Sequence, residues 1–153
     1  VLAGLSDALD VACANIPKLD NTLVAIDTSG SMNDFVTASP KEMKRYELMG
    51  TTPLKRHEAA ALYGAMLARV GFADMLMFGD RAKMVPYNPR DSVMSVARGI
   101  TAREGEVGHG TCFPSIFETA DKNGVPYDRV VIFTDEQTHV RNAVVMISPS
   151  VAL

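Results

Sequence analysis

Tryptophan is absent from this chain, cysteine occurs twice and histidine three times. Cys13 and Cys112 lie too far apart to suggest a metal-ligand spacing, and so sparse a pair is no disulfide scaffold. Free, buried thiols are expected instead, in keeping with a reducing, cytoplasmic setting. No apolar run reaches the length of a membrane span, so no membrane partner is expected. No basic segment leads into an apolar stretch, so no signal peptide is expected. The chain opens on Val1 rather than Met, which fits a piece of a longer protein and makes a missing leader uninformative about the parent. Basic charge is not in excess either. The net charge of -3 argues against a clamp on nucleic-acid phosphates by this domain itself, although a local basic patch is compatible with it. There is no P-loop, no Gly-x-Ser-x-Gly elbow, no internal repeat and no low-complexity segment.

What remains is an ordinary globular composition. The 153 residues are 47% hydrophobic and 22% charged, which suits a single domain over 1–153 with a full core. Leu2, Leu5, Leu9, Ala12 and Ile16 recur at helical spacing, and Pro17 ends the pattern. Leu23 to Ile26 is apolar throughout, which predicts a strand covered on both faces. Thr28 to Pro53 reads as a long loop with a helical turn around Lys41 to Leu48; loops of that size are commonly functional or mobile. Lys55 to Val70 reads as a helix with Ala59, Leu62, Met66 and Val70 on one face and Gly71 as its stop. Met75 to Phe78 is a second buried strand. Gly79-Asp80 is a turn leading to an antiparallel third strand at Lys83 to Val85. Asp91 is the expected cap of a helix running to Ile100, with Val93, Ala97 and Ile100 inward. Pro114 to Asn123 has proline in its first turn and Gly124 past its end, as a helix does. Arg129 to Thr134 is a strand ending in Asp135, and Ala143 to Ile147 is a candidate fifth. The fold class expected is α/β: a mostly parallel sheet with one antiparallel edge strand, helices on both faces.

Chemistry in such a sheet gathers beyond the carboxyl ends of the strands. Two strands end there in aspartate, Asp27 and Asp135. On neighbouring strands, whose axes lie about 5 Å apart, the two carboxylates would repel. Either one takes up a proton or a cation sits between them. The run Asp27-Thr28-Ser29-Gly30-Ser31 favours the cation. Ser29 and Ser31 add hydroxyl oxygens on a tight loop that Gly30 permits, and Thr111, in the Gly108-His109-Gly110-Thr111 loop, is a further hydroxyl. All are hard oxygens, suited to Mg²⁺ first, with Mn²⁺ or Ca²⁺ as alternatives, rather than to zinc.

Asp27-Thr28-Ser29-Gly30-Ser31, with the distant Thr111 and Asp135, resembles the metal-ion-dependent adhesion site of the von Willebrand factor A family, Asp-x-Ser-x-Ser completed by a Thr and an Asp. A narrower resemblance runs from about Leu5 to Gln137. The helix at Ala8-Leu9-Asp10, the Phe78-Gly79-Asp80 hairpin, Gly110 to Pro114 and Val131 to Glu136 are similar to the C-terminal A domain of the TROVE, or Ro ribonucleoprotein, family. In that family the A domain sits beside a ring of helical repeats that binds RNA. An RNA link is therefore expected through the parent protein rather than through this domain. The family would continue through a helix and further strands where only His139 to Leu153 remain, so the expectation is either shortened C-terminal elements or a sequence that stops before they are complete.

The resemblance implies a protein-interaction module: with Asp135 acting only through a water, the ion stays electrophilic and accepts a Glu or Asp carboxylate from a partner protein, helped by the N-terminus of the helix near Pro114. An enzyme is the competing class, since oxygen-bound Mg²⁺ also serves phosphoryl transfer and nucleases. Those sites need more carboxylates, a base, or cations for the phosphates, so no enzyme is expected. Asp27-Thr28 is similar to the Asp-Thr-Gly of aspartic proteases, but Ser29 stands where glycine is required. A third class is a domain braced by a purely structural ion. Each residue also has a plainer reading. Asp27, Ser29 and Ser31 could form a polar turn, Thr111 could cap the helix near Pro114, and Asp135 could cap the segment after it. Cys112 and Phe113 read as core. His57, His109 and His139 read as solvated loop residues, Glu136 as an exposed acid, and the methionines as core filler. Lys41, Lys44, Arg45, Lys55 and Arg56 read as a solvated charged loop.

Overall fold

The structure, a computed structural model, describes residues 2–36, 39–45 and 53–135. Helix α1 covers Leu2–Ala12 and passes into a short 3-10 turn at Cys13–Asn15. Strand β1 (Thr22–Asp27) is buried at every position, as its unbroken apolar run requires. A second 3-10 turn, Gly30–Asn33, and helix α2 (Pro40–Arg45) lie within the long Ser- and Thr-rich segment. Helix α3 (Arg56–Gly71), strands β2 (Asp74–Phe78) and β3 (Ala82–Met84), helices α4 (Val93–Thr101) and α5 (Pro114–Asn123) and strand β4 (Arg129–Phe133) come next.

The strands form one sheet in the order β3-β2-β1-β4. β1 runs parallel to both β2 and β4, and β3 is the antiparallel edge. Alternate residues of β1 supply two cores. Val24 and Ile26 pack with Ala61, Ala65 and Ala68 of α3 and with Val93 and Ile100 of α4. Leu23 and Ala25 pack with Ile116 and Ala120 of α5 on the other face. The expected α/β architecture, mostly parallel with helices on both faces, is thus the observed one. The fifth strand candidate and the shortened C-terminal elements lie outside the described residues, as do His139 and Glu136.

Several local expectations are corrected. The deep face of α3 is not Ala59, Leu62, Met66 and Val70, which are half-buried, but Ala60, Ala61, Gly64, Ala65 and Ala68. Small residues let the helix sit close to β1: a Cβ on Gly64 would come within 2.7 Å of the Ile26 Cδ1 atom. Gly71 does not provide the left-handed stop either. Phe72 takes that conformation, at φ 51°, while Gly71 lies against the Leu19 carbonyl, where a Cβ would be 2.7 Å from the oxygen. The cap of α4 is Ser92, whose Oγ accepts the Ser95 N–H at 3.2 Å. A hydroxyl one residue nearer the helix reaches that donor, and Asp91 is left in the preceding turn. His57 is not a loop residue but a buried one on the first turn of α3, its Nδ1 3.2 Å from the Met32 carbonyl.

Candidate functional site

Parallel pairing of β1 with β4 sets Ile26 opposite Phe133. The two strands therefore end level, and Asp27 emerges beside Thr134 and Asp135. Asp27 is fully buried. Its Oδ1 accepts the Ser29 N–H at 2.8 Å and its Oδ2 accepts the Thr134 hydroxyl at 2.6 Å. The first bond is an Asx turn, which folds the chain back so that Ser29 and Ser31 face the strand ends. Thr28 turns the other way, its N–H and Oγ1 both directed at the Phe78 carbonyl, at 2.9 and 3.2 Å.

From this turn a file of oxygens runs across the sheet end. Ser29 Oγ lies 3.3 Å from Ser31 Oγ, and the Ser31 hydroxyl donates to Asp135 Oδ1 at 3.2 Å. Four of the five residues singled out in the sequence are thereby joined in one hydrogen-bonded set. The fifth, Thr111, lies on the adjoining loop and is buried. That loop is tied to the serine turn through the Gly30 N–H and the His109 carbonyl, 2.8 Å apart. Gly30 is not needed for its conformational freedom. A Cβ there would meet the His109 oxygen at 3.5 Å, an ordinary contact. Thr111 does not occupy the cap position of α5; Phe113 does, its ring 5.7 Å from that of Phe78. His109 is exposed, as expected, and both cysteines are free, Cys13 buried and Cys112 half-buried.

Three contributors are not legible in the sequence. Asp80 is more than a turn residue. Its carboxylate accepts the His109 and Gly110 N–H groups, each at 3.1 Å, and the Cys112 N–H donates to the Gly79 carbonyl at 2.8 Å. The β2–β3 hairpin thus holds the chain on both sides of Thr111. Gly108 adopts φ 86° beneath this clasp, a conformation glycine takes without strain. Thr134 reads in the sequence only as strand. Arg56 reads there as a solvated loop cation, yet its Nη1 lies 2.8 Å from Asp135 Oδ2 and 3.3 Å from the Ser31 carbonyl. A proton or a metal ion is the expected relief for the two carboxylates; the fold also supplies a guanidinium. The only signal for Arg56 is its place at the start of a helix, and nothing in one sequence says where its long side chain reaches.

Ser29, Ser31 and Asp135 bring together oxygens of the type a hard cation takes. Neighbouring ligands in an octahedron lie about 2.9 Å apart around Mg²⁺ and about 3.4 Å apart around Ca²⁺, from their usual bond lengths. The spacings of 3.2 and 3.3 Å among Ser29, Ser31 and Asp135 fall between the two. Among the described residues no group of three or more His, Cys, Asp or Glu could hold a metal, so a cation here would rest on hydroxyls as much as on carboxylates.

No family model matches the chain, and no curated protein matches it. A solved Ro protein shares its fold. The crystal structure of the Deinococcus radiodurans Ro (RSR) protein matches 88% of this chain with a TM-score of 0.55 and 19% sequence identity. The chain spans 25% of the length of that protein. Identity at this level speaks for the shared fold alone, a mostly parallel α/β sheet of the von Willebrand A or Rossmann-like kind. Among the described residues no helix is long and apolar enough to cross a membrane.

Proposed function

We propose that this chain is a divalent-cation-binding protein-interaction module with an adhesion-type site formed by Asp27, Ser29, Ser31, Thr111 and Asp135, and that it belongs to a Ro-like RNA-binding protein. The observation that carries this reading is the continuous file of hydroxyl and carboxylate oxygens at the level ends of two adjacent parallel strands. Mg²⁺ is the proposed ion, with Mn²⁺ or Ca²⁺ as alternatives. Asp27 and the serine turn would hold it, and Asp135 would act directly or through a water. With Asp135 acting through a water, the ion would stay electrophilic and accept a carboxylate from a partner protein. Val36 and Tyr63, 59% and 61% exposed, flank Arg56 and Asp135 in a shared groove and offer apolar area around such a contact. Calorimetric titration of Mg²⁺, Mn²⁺ and Ca²⁺ into chelator-stripped protein, beside Asp27→Ala, tests the reading. One saturable site, lost in the variant, is expected. No binding to the folded protein would refute it, and metal-dependent cleavage of RNA or phosphoesters would move the site to the enzyme class.

A further inference from the structure

We propose that Arg56 is a cation built into this site, weakening its hold on a metal ion and strengthening the hold of that ion on an acidic ligand. The proposal rests on the metal-site reading above. Arg56 is the first residue of α3, and its backbone N–H donates to the Asp34 carbonyl at 2.9 Å. Its side chain, 33% exposed, reaches Asp135, which is 11% exposed. The same Nη1 that meets Asp135 Oδ2 lies within hydrogen-bonding distance of the Ser31 carbonyl. The guanidinium therefore spans the serine turn and the end of β4, the two segments that would share the ion. Asp34, 3.7 Å away, is 73% exposed, and solvent screens it. Lys55, the neighbouring cation, is directed instead to Asn33 at 3.0 Å.

The division of Asp135 is informative. Oδ1 faces Ser31 and the oxygen file, while Oδ2 faces Arg56. One carboxylate oxygen thus meets the oxygen file and the other meets the guanidinium. The carboxylates of Asp27 and Asp135 alone would cancel a divalent charge. With the guanidinium included, one positive charge remains, and an incoming carboxylate is what cancels it. Arg56 opposes the first binding event and favours the second.

The test is calorimetric titration of Mn²⁺ into the full chain and its Arg56→Gln and Arg56→Lys variants, each with a thermal melt. Gln carries an amide but no charge, and Lys keeps the charge. Arg56→Gln is expected to bind Mn²⁺ about tenfold more tightly, a modest consequence of removing a like charge a few ångströms away. Once loaded, it should take acetate about tenfold more weakly, read from paramagnetic broadening of the acetate methyl resonance. Arg56→Lys should stay close to the parent in both. Equal or weaker Mn²⁺ binding by a cooperatively melting Arg56→Gln, with the parent binding normally, would overturn this proposal alone and leave Arg56 as a prop for Asp135. Binding by the variant and not by the parent would support it. Binding by neither would overturn it together with the metal-site reading. Arg56→Met, which keeps the apolar stem, takes the place of the Gln variant if that protein fails to melt cooperatively.

Discussion

Asp27 carries two jobs at the residue scale. It is buried, and it fastens both the serine turn and the residue after β4. Thr134→Val removes the hydroxyl that meets Oδ2 at 2.6 Å. Hydrogen bonds to buried charged groups are worth about 2 kcal/mol, so a loss of that order in urea-unfolding stability is expected. No loss would mean that water replaces the hydroxyl. Two tyrosines make a second prediction, remote from the site. Burial, followed by the nearby Asp74 carboxylate, pushes the Tyr87 phenol up to about 12. Burial, followed by the hydrogen bond to Asp74, pushes Tyr127 up to about 12 as well. Its hydroxyl donates to Asp74 Oδ2 at 2.6 Å. A phenol raised in the folded state keeps its proton longer there than in the unfolded chain. Its contribution is complete below the unfolded value near pH 10 and is lost as pH rises through 12. The urea midpoint should fall across that window, and fall less in Tyr127→Phe. An identical profile in the variant would remove Tyr127 from the account.

The elements that matter most for the site are the β2–β3 hairpin and α3. Gly79 begins the hairpin turn, and a Cβ there would lie 2.5 Å from the Gly108 carbonyl oxygen. Backbone cannot yield as a side-chain tip can. Gly79→Ala should therefore push the hairpin away from the Thr111 loop, at a cost of about 1–3 kcal/mol typical of overpacking. It should also weaken cation binding, although it touches no proposed ligand. Unchanged affinity in a destabilised variant would show that the clasp serves folding only. Helix α3 works through closeness instead. Its alanine and glycine face brings the backbone near β1, and its first residue then reaches the strand ends with Arg56.

For the whole molecule, one arrangement links core to site. β1 lies between two parallel neighbours and under helices on both faces, and its carboxyl end carries Asp27. A ligand that binds only the folded state adds stability in proportion to its occupancy. A cation at a hundred times its dissociation constant should add about 2.7 kcal/mol. Melting with and without chelator measures it, and an unshifted midpoint at saturating ion would show that the ion does not select the folded state. Acetate raising the melting point further in the loaded protein, and not in the stripped one, would favour an interaction module over a purely structural ion.

Much of this was legible in order along the chain. The unbroken apolar runs at Leu23 to Ile26 and Val130 to Phe133 marked strands that pair in parallel; β1 is buried at every position, while Val130 to Phe133 of β4 are half-buried. The aspartates after them and the Ser-x-Ser spacing then determined which oxygens could meet. The α5 boundaries came from Pro114 and Gly124, each of which suits one end of a helix. What only the tertiary structure decided depends on reach and closeness between distant segments. Arg56 became part of the site because α3 packs near enough to β1 for a long side chain to cross to Asp135. Asp80 became a clasp because the hairpin folds over a glycine loop nearly thirty residues later in sequence. His57 became a buried residue because the turn after Ser31 covers it. Periodicity records which face of an element is apolar; it holds no record of which neighbour that face meets, or of how closely.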